Sequence, residues 1–204
     1  MPAPFFVFLG GGFVAVLGGL ACATGWFCCR GRGLWWLPLC GIAAWAVDSA
    51  GAVVLPLCFV LGCSAACDLR EMEVPDLPWW VACAGWLLFG GVVPRPVGLA
   101  GAVLALVFGL FVWFVGTRLY GEAAYGGADV KLGAVAGLYL GVSGFLLALL
   151  LGSLFGLAHG LWLRRGGKLG PRQPFPFIPA LGMGVLAAAS VLPLWEHLLQ
   201  LLAQ

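Results

Sequence analysis

Apolar runs long enough to cross a bilayer follow one another along this chain, with no hydrophilic stretch between them long enough to fold as a separate domain. A helical crossing takes roughly 20 residues. With 63% apolar residues and a mean hydropathy of +1.08, a soluble globular domain is excluded. The chain reads as a single all-α domain over residues 1–204, a polytopic membrane helix bundle. Hydropathy and turn signals place helices near 5–28, 34–48, 51–67, 79–93, 97–116, 130–141, 144–163 and 177–202. Asp48-Ser-Ala-Gly51 suits a tight turn inside 34–67, and Gly141-Val-Ser-Gly144 is the best break in 130–163. That makes about eight transmembrane helices, and six or seven if either pair stays unsplit.

Basic residues orient the bundle. With eight crossings, Arg30, Arg32, Arg70, Arg118, Arg164, Arg165, Lys168 and Arg172 share one side, with Lys131 at its edge. Only Arg95 lies on the other. Both termini are then external and the basic loops cytoplasmic. The net charge of +2 and the lack of a basic patch exclude nucleic acid as a partner. Phe5–Cys29 imitates a signal peptide, but basic residues and a convincing cleavage site are missing, so it reads as a retained helix.

The eight cysteines (Cys22, Cys28, Cys29, Cys40, Cys58, Cys63, Cys67 and Cys83) form no C-x-x-C pair and lie in or beside apolar runs. They read as small hydrophobes; no metal and no cofactor are expected. Trp35, Trp36, Trp79 and Trp80 flank helix starts, where an aromatic ring with a polar edge prefers the headgroup region. Gly152, Gly156 and Gly160 make a small-residue face on which another helix can pack closely.

Against this oil two acids stand out. Asp68-Leu-Arg-Glu-Met-Glu-Val-Pro-Asp76 packs five charges into nine positions. Asp129 lies in Gly126-Gly-Ala-Asp-Val-Lys-Leu132, at the mouth of another apolar run. Ionisable groups at a membrane boundary are costly and therefore functional candidates. The helix count, which rests on apolar runs and turns alone, places both on the cytoplasmic side. Taken singly, Asp68 reads as well as an interfacial acid capping a helix end or pairing with Arg70, and Asp129 as a helix N-cap.

Two carboxylates that meet cannot both ionise fully, so one keeps a proton and the pair titrates as a unit. The ionised partner can take a proton from water while the protonated one polarises a substrate carbonyl. That is peptide hydrolysis by general acid–base catalysis. His159 and His197, the two histidines, stand in no nucleophile motif and read as non-catalytic. Gly126 and Gly127 would let backbone or substrate approach Asp129 and permit unusual dihedrals. Lys131 would offset charge near the pair or meet lipid phosphates. Val74-Pro75 disfavours helix, so the segment after Asp68 is expected to be a short loop in which Glu71, Glu73 and Asp76 are solvated.

Asp68-Leu-Arg-x-x-x-Val-Pro-Asp76 resembles the first signature of the type IV prepilin peptidases, and Gly-Gly-Ala-Asp-Val-Lys-Leu resembles their glycine-x-glycine-aspartate signature. Pro174-Phe-Pro-Phe-Ile-Pro-Ala-Leu-Gly182 is similar to the stretch before their last helix. The resemblance covers roughly residues 50–190. It implies an aspartyl endopeptidase of the bacterial inner membrane that cuts prepilin-like leaders at the cytoplasmic face. The implied substrates carry a short basic leader, a glycine before the cut and a hydrophobic helix after it. Asp68 and Asp129 would be the catalytic pair, with Gly126, Gly127, Ala128, Lys131, Arg70 and Pro75 in support. Partners are then the prepilin-like substrate and the lipid bilayer, with homo-oligomerisation left open.

Three departures stand in this sequence. Ala128 replaces the second glycine of the signature, and Pro174-Phe-Pro-Phe replaces Pro-Phe-Gly-Pro. Between Cys29 and Leu34 there is no room for the paired-cysteine insertion that large family members use with N-methylation. Leader cleavage is therefore expected, and methylation has no support. Two other readings compete. Intramembrane proteases of the presenilin or signal-peptide-peptidase kind share the glycine-x-glycine-aspartate feature, and Pro179-Ala-Leu181 matches their tripeptide. Their first aspartate follows a tyrosine on the adjacent helix, whereas here Cys67 precedes Asp68 and two crossings intervene. A transporter or membrane assembly subunit is the non-enzymatic reading, opposed by the absence of a convincing internal repeat and by charges gathered at one face.

Overall fold

A computed structural model describes residues 51–120, 126–167 and 175–202. The expected helices at 5–28 and 34–48, the Asp48 turn, Trp35, Trp36 and the first four cysteines lie outside the described residues, as do the side chains of Arg70 and His197. Among the described residues the fold is all-helical.

A short 3-10 turn, Ala52–Val54, leads into α1, Leu55–Glu71. Pro56 sits in the first turn, where its missing N–H has no intrahelical partner to lose. The helix runs one turn beyond the predicted end. Met72 stops it in the left-handed region (φ 55°, ψ 22°), its N–H donating to the Asp68 carbonyl at 3.0 Å. Asp68 thus lies inside the last turn of a helix, and the loop begins only at Met72. Val74-Pro75 forms the extended link, with Val74 packed on the core. Helix α2, Leu77–Phe89, starts where the Asp76 carbonyl accepts the N–H groups of Trp79 and Trp80, and Gly90 (φ 83°) ends it. Of the tryptophan pair, Trp79 is buried in the bundle and Trp80 is exposed.

Helix α3, Arg95–Tyr120, and α4, Gly127–Arg165, are long and apolar enough to cross a membrane. Gly141 interrupts α4 with φ 71° and ψ −170°, a conformation open in practice only to glycine. The break predicted near Gly141–Gly144 is therefore present. Contacts with α3 show that it reverses the chain. Along the first limb Val130 lies against Gly109 and Gly137 against Gly101, whereas past the break Phe145 meets Phe108. The first limb runs antiparallel to α3 and the second parallel to it.

Helix α5, Ile178–Leu202, packs antiparallel to the second limb. A Cβ on Gly152 would stand 2.9 Å from Leu181 Cα, and one on Gly156 2.4 Å from the Phe177 ring. The predicted small-residue face is thus the seat of α5. The same device joins α3 to α4: a Cβ on Gly137 would meet the Gly101 carbonyl at 2.4 Å. Such approach lets backbones touch where lipid provides no hydrophobic drive between helices.

Leu57, Leu61, Leu132, Leu140, Ile178 and Leu186 centre the core. Buried Tyr139 ties it together, its hydroxyl donating to the Ala82 carbonyl at 2.8 Å while its own carbonyl accepts the Val92 N–H at 2.9 Å. Outward faces are apolar too. Val103, Val107, Leu110 and Phe114 on α3, and Leu146, Leu150, Leu154 and Leu157 on α4, are exposed. In water so large an apolar surface would drive association; in a bilayer it is the solvent-facing side.

Candidate active site

The antiparallel packing gathers chosen chain positions at one end of the bundle. Asp68 closes α1, Asp129 opens α4 and Ile178 opens α5. Arg118 near the end of α3, and Arg164 and Arg165 at the end of α4, fall at that same end. Arg95 sits at the opposite end, where its guanidinium donates to the Leu87 carbonyl at 2.9 Å beside the Trp86 ring. This partition of basic residues matches the one drawn from helix counting for the positions described.

Asp68 is buried, only 7% exposed. Its Oδ2 accepts the Ile178 backbone N–H at 3.0 Å, so the carboxylate caps the start of α5. This answers a donor that a helix start leaves without an intrahelical partner, and it adds favourable charge at the positive end of the helix dipole.

Asp129 is half-buried at the third position of α4. Its Oδ2 accepts the Gly126 N–H at 3.0 Å, the half of a capping box that a glycine N-cap allows. The residue at the N-cap is therefore Gly126, and Asp129 caps from inside the helix. Capping engages Oδ2 and is compatible with a second role. The two carboxylates lie within electrostatic reach of one another, Asp68 acting directly on Asp129.

The supporting residues divide. Gly126 has ordinary extended angles (φ −72°, ψ 155°), so the predicted unusual dihedrals are not used there. Its lack of a side chain matters by proximity, because a Cβ would stand 3.1 Å from Asp129 Oδ2. Among the described residues, nothing lies within 4 Å of where a Gly127 Cβ would be. Ala128 packs on the core, and Pro75 lies exposed in the link. Lys131 is two residues beyond Asp129, about 200° round the helix, and forms an ion pair with Asp76. Asp76, expected to be merely solvated, is thus bound to α4.

Two participants escaped the sequence reading. Asp76 ends the first signature, yet only the fold shows that it reaches Lys131. Ile178 lies within the third signature, but it acts through its backbone N–H, which no side-chain pattern reveals. Among the described residues no cluster of three metal-ligating side chains occurs. His159 is buried and edge-on to Phe175, with Trp162 nearby, in an aromatic cluster beside the α5 start.

The model of the type IV leader peptidase family matches residues 55–161. A prepilin leader peptidase/N-methyltransferase of Xanthomonas campestris pathovar campestris is 32% identical over 154 residues, 71% of this chain and 52% of the relative. One from Bacillus subtilis is 38% identical over 134 residues, 61% of this chain and 49% of the relative. One from Burkholderia pseudomallei is 26% identical over 148 residues, 70% and 47% respectively. The chain spans about half the length of the curated relatives it matches. No solved structure matches it significantly.

Proposed function

This chain belongs to the type IV leader peptidase family, and we propose that it is a membrane aspartyl endopeptidase that removes the leader of prepilin-like proteins. The observation that carries the reading is the placement of Asp68, in the last turn of α1, and Asp129, in the first turn of α4, at the same end of the bundle, each with one oxygen held by a backbone N–H. Such anchoring fixes where each carboxylate sits and how it is oriented toward the other. One carboxylate, ionised, takes a proton from a water whose oxygen attacks the scissile carbonyl carbon. The other, protonated, donates to the carbonyl oxygen, and the departing amine nitrogen takes up a proton as the C–N bond breaks. Holding both groups in place before substrate arrives lowers the entropic part of the barrier.

Gly126 and Gly127 support this by keeping side chains away from the Asp129 carboxylate. Ala128 seats the first turn of α4 on the core, while Arg70 and Pro75 belong to the first signature around Asp68. The substrate is a protein with a short basic leader and a hydrophobic helix after the cut, the latter suited to the apolar flanks of the bundle. The site faces the cytoplasm of the bacterial inner membrane, a siding supported by the basic residues gathered at its end. The proposed bundle has eight crossings in one domain: α1, α2, α3, the two limbs of α4 and α5, with the apolar runs at 5–28 and 34–48 as the remaining two. The family match does not favour the presenilin-type or transporter readings.

The test is cleavage of a co-expressed prepilin-like substrate by wild type, Asp68→Asn and Asp129→Asn, with membrane insertion verified for each. Cleavage by wild type alone is expected. Cleavage that survives either substitution removes that residue from catalysis.

A further inference from the structure

The Asp76–Lys131 ion pair joins the two segments that carry Asp68 and Asp129. On one side, the link from Asp68 to Asp76 is short and tied down. Asp68 sits in the last turn of α1, its carbonyl accepts the Met72 N–H, Val74 packs on the core, and the Asp76 carbonyl starts α2. On the other side, Lys131 shares the first turns of α4 with Asp129 but leaves from the opposite face of the helix. It therefore grips that backbone without crowding the carboxylate. The side chains remain 48% and 68% exposed, and an exposed pair adds little to global stability. Its consequence is positional.

We propose that Asp76 and Lys131 are positioning residues, a clamp between the α1–α2 link and the start of α4 that sets the separation of Asp68 and Asp129. This rests on the peptidase reading for its effect on rate, although the clamp itself is a matter of distance. Small displacements of a catalytic group are costly: about 1 Å is worth on the order of a hundredfold in rate. A clamp that restrains part of that movement predicts a loss of about tenfold in kcat when one partner is neutralised.

The experiment measures kcat and KM for leader cleavage, and Tm in detergent, for wild type, Asp76→Asn, Lys131→Gln and the exchanged pair Asp76→Lys with Lys131→Asp. Each single variant should lose about tenfold in kcat with KM and Tm near wild type, and the exchanged pair should recover most of the loss. Unchanged kcat in both single variants, a change confined to KM, or an exchanged pair no better than its singles overturns the clamp.

A second measurement is independent of activity. In the full chain with its natural cysteines replaced, Asp68→Cys and Asp129→Cys are joined by a short bis-maleimide, with and without Asp76→Asn. Slower joining in the Asp76→Asn background supports the clamp even where wild type cleaves no prepilin, an outcome that would sink only the peptidase reading. Equal rates overturn the clamp even where cleavage is robust.

Discussion

Ile178 gives its backbone N–H to Asp68 Oδ2 at 3.0 Å, across 110 residues of chain. The donor is the first residue of α5, where proline is well tolerated because the N–H has no intrahelical partner. Ile178→Pro should therefore be tolerated by the backbone at the start of α5 while removing the anchor of the Asp68 carboxylate, and a Tm measured alongside reports what the lost core packing of Ile178 costs. Leader cleavage should fall by about 10- to 100-fold, the order expected when a hydrogen bond to a charged group worth about 1.5–3 kcal/mol is lost. Ile178→Val, which keeps the donor, should retain most of the activity. Equal activity in the two variants would show that the anchor is dispensable.

Asp68→Asn and Asp129→Asn should each reduce kcat by about 10²–10⁴-fold, the range of general acid–base catalysis. Because the two groups act as a unit, the double variant should be hardly worse than either single one. Losses that multiply would point to independent roles, and single-turnover cleavage of a purified substrate measures them.

At Gly141 the backbone angles and the surroundings both oppose a side chain. Its φ of 71° with ψ of −170° is essentially confined to glycine, and a Cβ there would stand 2.9 Å from Val97 Cγ1. Gly141→Ala should destabilise the bundle by about 1–3 kcal/mol, seen as a Tm lower by several degrees. Cleavage should fall as well, because the reversal determines where the limb bearing Asp129 begins. A Tm equal to wild type would mean that α4 reverses without help from this position.

Met72 offers the opposite case. It is the one non-glycine residue with positive φ among the described residues, and its side chain is exposed. Met72→Gly should relieve about 1 kcal/mol of left-handed strain at this helix C-cap. Tm should rise by roughly 2–4 °C with little change in cleavage. A lower Tm would show that the methionine side chain contributes more than its backbone costs.

The sequence alone determined that the described elements are helices and roughly where they lie. Long apolar runs can satisfy their backbone only as helices in lipid, and Gly141 marks a break by a steric rule that acts locally, whereas the helix predicted over 79–93 in fact stops at Gly90. The aspartates were legible for the same reason, since charge amid oil is conspicuous and the flanking residues carry a family signature. The predicted loop directly after Asp68 was one helical turn too early, because Val74-Pro75 acts on the residues just before it and leaves Glu71 free to stay helical. The tertiary structure decided which helices the two limbs either side of Gly141 pack against, α3 along the first limb and α5 along the second. Only it brought the Ile178 N–H to Asp68 and Asp76 to Lys131. Those partners are separated by 110 and 55 residues, and such contacts depend on which helix faces meet, a choice made by close glycine approaches that no local propensity encodes.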